Sequence, residues 1–139
     1  MNTPKFRLAA VGTGYFSQFH YDAWHRLSVN LTGICSLKIE EAKTVSSNFE
    51  NCDAFTNFEE MLALKKPNLV DVIVPPKAQV LIIKHCLEHR VPVICQKPYT
   101  IMTDLLYASI GSAPTEKIKI LRKINIKSSK NCCHIANCR

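Results

Sequence analysis

The stretch 7-RLAAVGTGYFSQFHYDAWH-25 holds a short apolar run, a turn with two glycines and the start of an amphipathic segment. Phe6–Val11 has β character, and Tyr15–Leu27 carries apolar residues at helical spacing. Gly12 and Gly14 follow the predicted strand, and Ser17 completes a Gly-x-Gly-x-x-small pattern. This spacing is typical of turns that bind a dinucleotide pyrophosphate at a helix N-terminus. A plain strand–helix turn has the same pattern, so alone it leaves both interpretations open.

The chain beyond this stretch continues to alternate between strands and helices. The further predicted strands are Leu31–Ser36, Ala54–Phe55, Leu69–Val74 and Val91–Cys95. The further predicted helices are Ile39–Phe49, the segment that Asn57 caps and that runs through Leu64, and Lys77–Arg90. Such alternation predicts an α/β fold, a Rossmann-type doubly wound parallel sheet with helices on both faces.

Ligands of such sheets bind beyond the carboxyl ends of the strands. Four short segments should therefore share one rim: Gly12–Ser17, Ser36–Lys38, Val74–Lys77 and Cys95–Pro98. In this context, the glycine turn is interpreted as a cofactor site.

The end of the second predicted strand bears on the choice of cofactor. A carboxylate there would bind the ribose 2′-OH of NAD, whereas this chain has Ser36, with Lys38 two residues on. A hydroxyl and a cation favour the 2′-phosphate of NADP, although NAD stays open. The alternative is that Lys38 points to solvent, shielded by Glu40 or Glu41.

Three segments together resemble the amino-terminal part of the Gfo/Idh/MocA oxidoreductases, the glucose–fructose oxidoreductase and inositol dehydrogenase family. They are AAVGTGYFSQFHYDAW, FTNFEEMLALKKPNLVDVIVPPKAQ and HCLEHRVPVICQKPYT, and the likeness runs from about Lys5 to Thr100. The resemblance implies a Rossmann domain followed by a substrate domain. It also implies hydride transfer between NAD(P) and a sugar, polyol or related compound.

The resemblance also implies roles for single residues. Pro75 and Pro76 resemble the loop beside the nicotinamide ribose, and Lys97 resembles the family lysine that contacts substrate near the reacting carbon. An ammonium there can polarise a carbonyl as hydride moves, so Lys97 is the candidate catalytic residue. Pattern and resemblance together assign to the cofactor Gly12, Thr13, Gly14, Tyr15, Phe16, Ser36, Lys38, Pro75, Pro76, Gln79, Gln96, Lys97 and Pro98.

The chain departs from the family pattern at three places. Gln96 stands where the family usually has Glu, and Gln79 where a His commonly follows the prolines. Arg90 takes a helix-end position where Gly is frequent, which implies either a different cap or a left-handed residue that costs about 1 kcal/mol.

Composition excludes several classes of protein. The apolar content of 47% is that of a globular chain, and no apolar run approaches the ~20 residues that span a bilayer. We expect a cytoplasmic protein with no membrane contact. The net charge of +7 resides mostly in the segment from Glu116, which holds seven of the 18 Lys and Arg residues. This segment has no nucleic-acid-binding motif, so we expect it to be solvated.

The histidines and cysteines give weak metal signals. Cys35, Cys86 and Cys95 lie in apolar segments and are predicted to be small buried hydrophobes. The alternative ligand sets are His85 with His89 on one helix, and Cys132, Cys133, His134 and Cys138 in the tail. Neither has the spacing of a structural zinc site, so we predict no metal. His20 and His25 are expected to be structural or solvated.

From about Gly111 the sequence resembles nothing in the family. We therefore expect a dinucleotide-binding domain over 1–110, a basic tail of irregular or disordered structure over 111–139, and no substrate domain. A truncated or frame-altered product would look like this. The alternatives are an oxidoreductase completed by a partner chain, a cofactor-binding remnant without turnover, and an interaction module. Association with a second copy of the chain stays open.

Overall fold

The alternation of apolar runs and amphipathic segments folds into alternating strands and helices. A computed structural model describes residues 6–95 and 134–136. In chain order its elements are β1 (Leu8–Val11), α1 (Ser17–Arg26), β2 (Leu31–Cys35), α2 (Ile39–Ser46), β3 (Asp53–Phe55), α3 (Phe58–Lys65), β4 (Leu69–Val72), α4 (Pro76–Glu88), β5 (Val93–Cys95) and β6 (His134–Ala136).

The described strands form one sheet in the order β3-β2-β1-β4-β5-β6. The first five are parallel, and β6 pairs antiparallel with β5. Since β1 lies between β2 and β4, the strand order reverses at β1. The predicted doubly wound parallel sheet is confirmed. Its switch point brings the turn after β1 next to the ends of β2 and β4.

The boundaries differ from the predicted ones for identifiable reasons. Helix α4 begins at Pro76 rather than Lys77, because a proline at the first helical position has no N–H group to leave unsatisfied. Strand β4 ends at Val72, so Ile73 and Val74 belong to the turn. Strand β6 was not predicted and lies inside the segment expected to be irregular. It forms against the edge of β5, a partner that local sequence does not reveal.

The core consists of two layers, one on each face of the sheet. Leu8 and Ala10 of β1 face one layer, and Ala9 and Val11 face the other, as the two-residue period of a strand requires. The first layer packs against α1 and α2, chiefly through Tyr21, Trp24, Ala42 and Val45. The second packs against α3 and α4, chiefly through Met61, Leu62, Ile83 and Cys86. Cys35, Cys86 and Cys95 are all buried, as predicted.

Each of the four helices within residues 6–95 is followed by a turn in which a residue other than glycine has a positive φ. These residues are Ser28, Asn51, Lys66 and Arg90. Arg90 has φ 56°, so the second of the two interpretations is correct, and a left-handed residue follows α4. Its N–H group donates to the Leu87 carbonyl at 3.0 Å, which helps to satisfy the helix end.

A buried carboxylate fastens α1 to the sheet. Asp71, in β4, is fully buried. Its Oδ2 accepts a hydrogen bond from Trp24 Nε1 at 2.7 Å and also pairs with His20 Nδ1 at 2.8 Å. His20 is therefore structural, as expected. His25 is exposed, and its ring lies 5.9 Å from that of Phe49.

We expect Trp24→Phe to destabilise the fold, because it removes one hydrogen bond from a buried carboxylate. The loss should be about 1–3 kcal/mol of the free energy of unfolding, measured by urea denaturation. Phe19→Leu, an exposed aromatic change on the same helix, should alter the free energy by no more than about 0.5 kcal/mol. Equal losses for the two variants would contradict the proposed anchor.

Candidate functional site

The turn after β1 requires a glycine at its first position. Gly12 has φ 113°, and a Cβ placed on it would lie 2.2 Å from the Ile73 carbonyl oxygen. Its N–H group donates to the Cys35 carbonyl at 2.9 Å, which continues the β1–β2 pairing into the turn. The chain can pass this closely over the end of β4 only without a side chain.

The buried phenol of Tyr21 holds the glycine turn from its buried side. Tyr21 Oη donates to the Gly12 carbonyl at 2.7 Å. Burial, with a contribution from the Asp71 carboxylate, raises the pKa of Tyr21 far above its ordinary value. The phenol therefore stays protonated and remains a donor.

The second glycine has a different role. A Cβ on Gly14 would meet no atom within 4 Å, and its φ lies outside the left-handed range. The space above Gly14 is open, as a pyrophosphate cradle requires. The Gly14 carbonyl accepts from the N–H group of Ser17 at 2.9 Å and from its Oγ at 2.6 Å. Ser17 is buried, which supports the prediction of a small third residue.

Helix α1 begins without a capping side chain. Phe16 occupies the N-cap position, and within the described part of the chain no side chain caps the helix and no acid lies in its first turn. Helix α3 differs, because Asn57 Oδ1 accepts from the N–H groups of Glu59 and Glu60. An uncapped N-terminus with its positive dipole end suits an anion.

Two exposed aromatic residues flank this helix N-terminus. Tyr15 and Phe16 contact each other edge to face at 5.6 Å between ring centroids. Helix α1 begins at Ser17 rather than at Tyr15 as predicted, so both rings belong to the turn. They lie at the N-terminus of α1, as expected of residues assigned to the cofactor.

A carboxylate that the sequence analysis did not assign lies at the end of β2. Glu41, in the first turn of α2, accepts a hydrogen bond from Thr13 Oγ1 at 2.7 Å. Its other oxygen pairs with Lys38 Nζ at 3.1 Å. The hydrogen bonds from Thr13 and Lys38 lower the pKa of Glu41. Lys38 is thus exposed and paired with a neighbouring glutamate, the arrangement that the alternative describes, and its assignment to the cofactor stays a prediction.

The sequence feature that could have identified Glu41 as a site residue is its position in the first turn of the helix that follows β2. A side chain there can fold back over the strand end. Ser36, which the sequence analysis placed at this point, is buried, and its Oγ lies 2.7 Å from Thr13 Oγ1. Thr13, Ser36 and Glu41 therefore form one polar cluster beside the glycine turn.

The turn between β4 and α4 forms the next part of the rim. Pro75 is the N-cap of α4, and Pro76 its first residue. Gln79 is fully buried, and its Nε2 donates to the Val74 carbonyl at 2.7 Å. The side chain of Gln79 is thus buried and supports the turn, and its predicted contact with the cofactor stays a prediction.

The last predicted group follows β5. Gln96, Lys97 and Pro98 lie outside the described residues, so their assignment stays a prediction. Cys95, at the end of β5, aligns with Val72 of β4. The carboxyl ends of β4 and β5 therefore lie at the same edge of the sheet.

A family model for oxidoreductases with an NAD-binding Rossmann fold, Gfo/Idh/MocA, matches residues 6–109. This chain belongs to the Gfo/Idh/MocA family. The UDP-N-acetylglucosamine 3-dehydrogenase of Acidithiobacillus ferrooxidans is 25% identical over 107 residues, 77% of this chain and 33% of that protein.

Solved structures share the Gfo/Idh/MocA fold. An oxidoreductase from Thermotoga maritima has a TM-score of 0.68 and 25% identity over 79% of this chain and 36% of its own. A dehydrogenase from Chromobacterium violaceum in complex with NADH and UDP-GlcNAcA has a TM-score of 0.66 and 18% identity, over 78% of this chain and 34% of its own. The chain thus spans about a third of the length of these relatives.

The histidines and cysteines named above as alternative metal ligands were compared with the described part of this chain. Within residues 6–95 and 134–136, no group of three or more His, Cys, Asp or Glu side chains is arranged to hold a metal. His85 Nδ1 faces Glu59 at 3.4 Å, and His89 Nδ1 lies 2.8 Å from the His85 carbonyl. Cys132, Cys133 and Cys138 lie outside the described residues.

The same residues were searched for membrane spans. Among the described helices, none has the length and hydropathy needed to cross a bilayer.

The two glycines of the turn should respond differently to alanine. We expect Gly12→Ala to reduce the free energy of unfolding by at least about 2 kcal/mol, because the Cβ collides with the Ile73 carbonyl in a left-handed residue. Gly14→Ala should change it by less than about 0.5 kcal/mol, since the added methyl meets nothing. Thermal and urea unfolding of the two variants measure the difference; similar losses would rule out the close approach at Gly12.

Proposed function

We propose that this chain binds a nicotinamide dinucleotide at the glycine turn and takes part in hydride transfer between that cofactor and a sugar, polyol or related compound. The observation that carries the proposal is the open space above Gly14 at the uncapped start of α1. A pyrophosphate fits there because backbone N–H groups and the helix dipole favour negative charge.

The order of the strands supports an assignment of the two ends of the cofactor. The end of β2, with Ser36 and Glu41, corresponds to the adenosine ribose. The turn after β4, with Pro75 and Pro76, corresponds to the nicotinamide ribose. Gln79 acts in this scheme by holding the Val74 carbonyl, so that the two prolines keep their place at the rim.

Lys97 is the proposed catalytic residue. The carboxyl end of β5 lies beside that of β4, which supports a place near the nicotinamide end for Lys97, two residues beyond Cys95 in the sequence. The cofactor supplies or accepts hydride, and the lysine ammonium would stabilise negative charge on the substrate oxygen. Gln96 and Pro98 would flank it. The UDP-sugar dehydrogenase among the relatives supports a sugar as the substrate class.

Two other functions are distinguishable by experiment. A chain that binds the cofactor without turnover is the second candidate, and it predicts binding of NADH or NADPH with no change in NAD(P)H absorbance when substrate is added. An interaction module that uses the basic tail is the third, and it predicts no cofactor binding. A cytoplasmic location and association with a second copy stay predictions.

Gly14→Val should abolish binding of NADH and NADPH while the chain stays folded, because a branched side chain would fill the open space above the turn. Calorimetric titration with both cofactors measures binding, and circular dichroism with thermal unfolding monitors the fold. Leu64→Val, which also places a β-branched side chain at an exposed position, lies near the carboxyl end of α3 and outside the four rim segments; it is the matched control and should bind like the parent chain. Unchanged affinity in a folded Gly14→Val chain would exclude the proposed cradle.

If the chain is a working dehydrogenase, Lys97→Met should remove turnover and weaken cofactor binding far less than Gly14→Val does, because the lysine acts chiefly on substrate charge. The measurement is NAD(P)H absorbance with inositols, aldoses, UDP-sugars and their oxidised forms. Binding without turnover in the parent chain would support the second candidate. Turnover that survives Lys97→Met would contradict the role of Lys97.

A further inference from the structure

The polar cluster of Thr13, Ser36 and Glu41 has a defined hydrogen-bond direction. An ionised carboxylate only accepts hydrogen bonds, so Thr13 must donate its single hydroxyl proton to Glu41 Oε2. The 2.7 Å bond between Thr13 Oγ1 and Ser36 Oγ then has only one donor left, which is Ser36. Both hydroxyl protons are thus directed along a chain that ends on the Glu41 carboxylate.

The cluster therefore presents acceptor oxygens, including those of the Glu41 carboxylate, at the end of β2. Ser36 Oγ retains lone pairs but no free proton, and Glu41 retains acceptor capacity on both oxygens. Lys38, the cation that favoured NADP in the sequence, is paired with Glu41 at 3.1 Å. Its charge is balanced locally instead of being available to a phosphate.

These features distinguish the two nicotinamide cofactors. The free adenosine ribose of NAD carries hydroxyls, which donate to a carboxylate. The ionised 2′-phosphate of NADP presents acceptor oxygens, so at this place it would face the acceptor oxygens of Glu41 and hydroxyls whose protons are already committed. Ser36 and Lys38 favoured NADP because they are nearest to the end of β2 in sequence. Glu41 is farther along the chain, but the first turn of α2 places its carboxylate beside Thr13 and Lys38.

We infer that Glu41, held by the hydroxyl of Thr13, selects NAD over NADP in this chain by accepting hydrogen bonds from the adenosine ribose hydroxyls. The inference rests on the proposed cofactor site at the glycine turn. It assigns the selection to a glutamate of α2, and Ser36 at the strand end acts as a donor that orients the cluster.

The test is titration of NADH and NADPH against the parent chain, Glu41→Gln and Glu40→Gln. The parent should bind NADH at least about tenfold more tightly than NADPH, which is the size of effect that one hydrogen bond to a charged group gives. Glu41→Gln should weaken NADH, strengthen NADPH and move the ratio of the two affinities by about tenfold or more. Glu40→Gln makes the same charge change in the same turn of α2, where Glu40 pairs with Lys43, and should leave the ratio within about twofold.

Thr13→Ala provides an independent test if Glu41→Gln does not fold. It removes the donor that orients Glu41, so the preference for NADH should fall while the carboxylate is still present. Preference of the parent for NADPH, or a ratio that neither Glu41→Gln nor Thr13→Ala moves, would overturn the inference and leave the cofactor site standing. Failure of the folded parent to bind either cofactor would overturn the proposed function as well, and the inference with it.

Discussion

The close approach of Gly12 to the carbonyl group of Ile73 determines the geometry of the whole rim. At this point the backbone of one strand end passes over the backbone of its neighbour, with a gap too small for a methyl group. The chain turns here and enters α1, and the Tyr21 phenol from that helix donates back to the Gly12 carbonyl. Turn and helix thus hold each other in place, which fixes where the N-terminus of α1 points.

The glycine turn combines a fixed helix on its buried side with open space at Gly14 on its exposed side, and both features favour anion binding. Asp71 ties α1 to β4 through His20 and Trp24, so the helix that carries the positive dipole end is anchored to the centre of the sheet. The space above Gly14 is left free. A fixed set of N–H groups facing an open space binds an anion without reorganisation, and preorganisation of this kind reduces the cost of ordering on binding. At the end of β2, the hydrogen bonds from Ser36 to Thr13 and from Thr13 to Glu41 direct both hydroxyl protons towards the Glu41 carboxylate.

The architecture could be predicted because local pattern and global fold agree along most of the chain. Apolar runs such as Leu8–Val11 are buried on both faces, and the glycine turn lies between a strand and a helix as its spacing indicates. Two features that the sequence did not indicate, Glu41 beside the turn and strand β6, depend on contact between segments distant in sequence. Glu41 reaches Thr13 across 28 residues, and β6 pairs with the edge of β5. Gln79 was assigned to the cofactor by its position in a motif, yet its burial depends on packing that the motif does not encode.

The turns after the helices have a consequence for evolvability. Ser28, Lys66 and Arg90 adopt left-handed backbone conformations without being glycine, a choice that costs each position on the order of 1 kcal/mol. Asn51 tolerates this conformation better. The summed cost at Ser28, Lys66 and Arg90 is a sizeable fraction of the free energy of unfolding of a typical domain, which is roughly 5–15 kcal/mol. Glycine at these surface turns would widen that margin and let the chain accept more substitutions elsewhere, including changes at the cofactor rim that would otherwise unfold it.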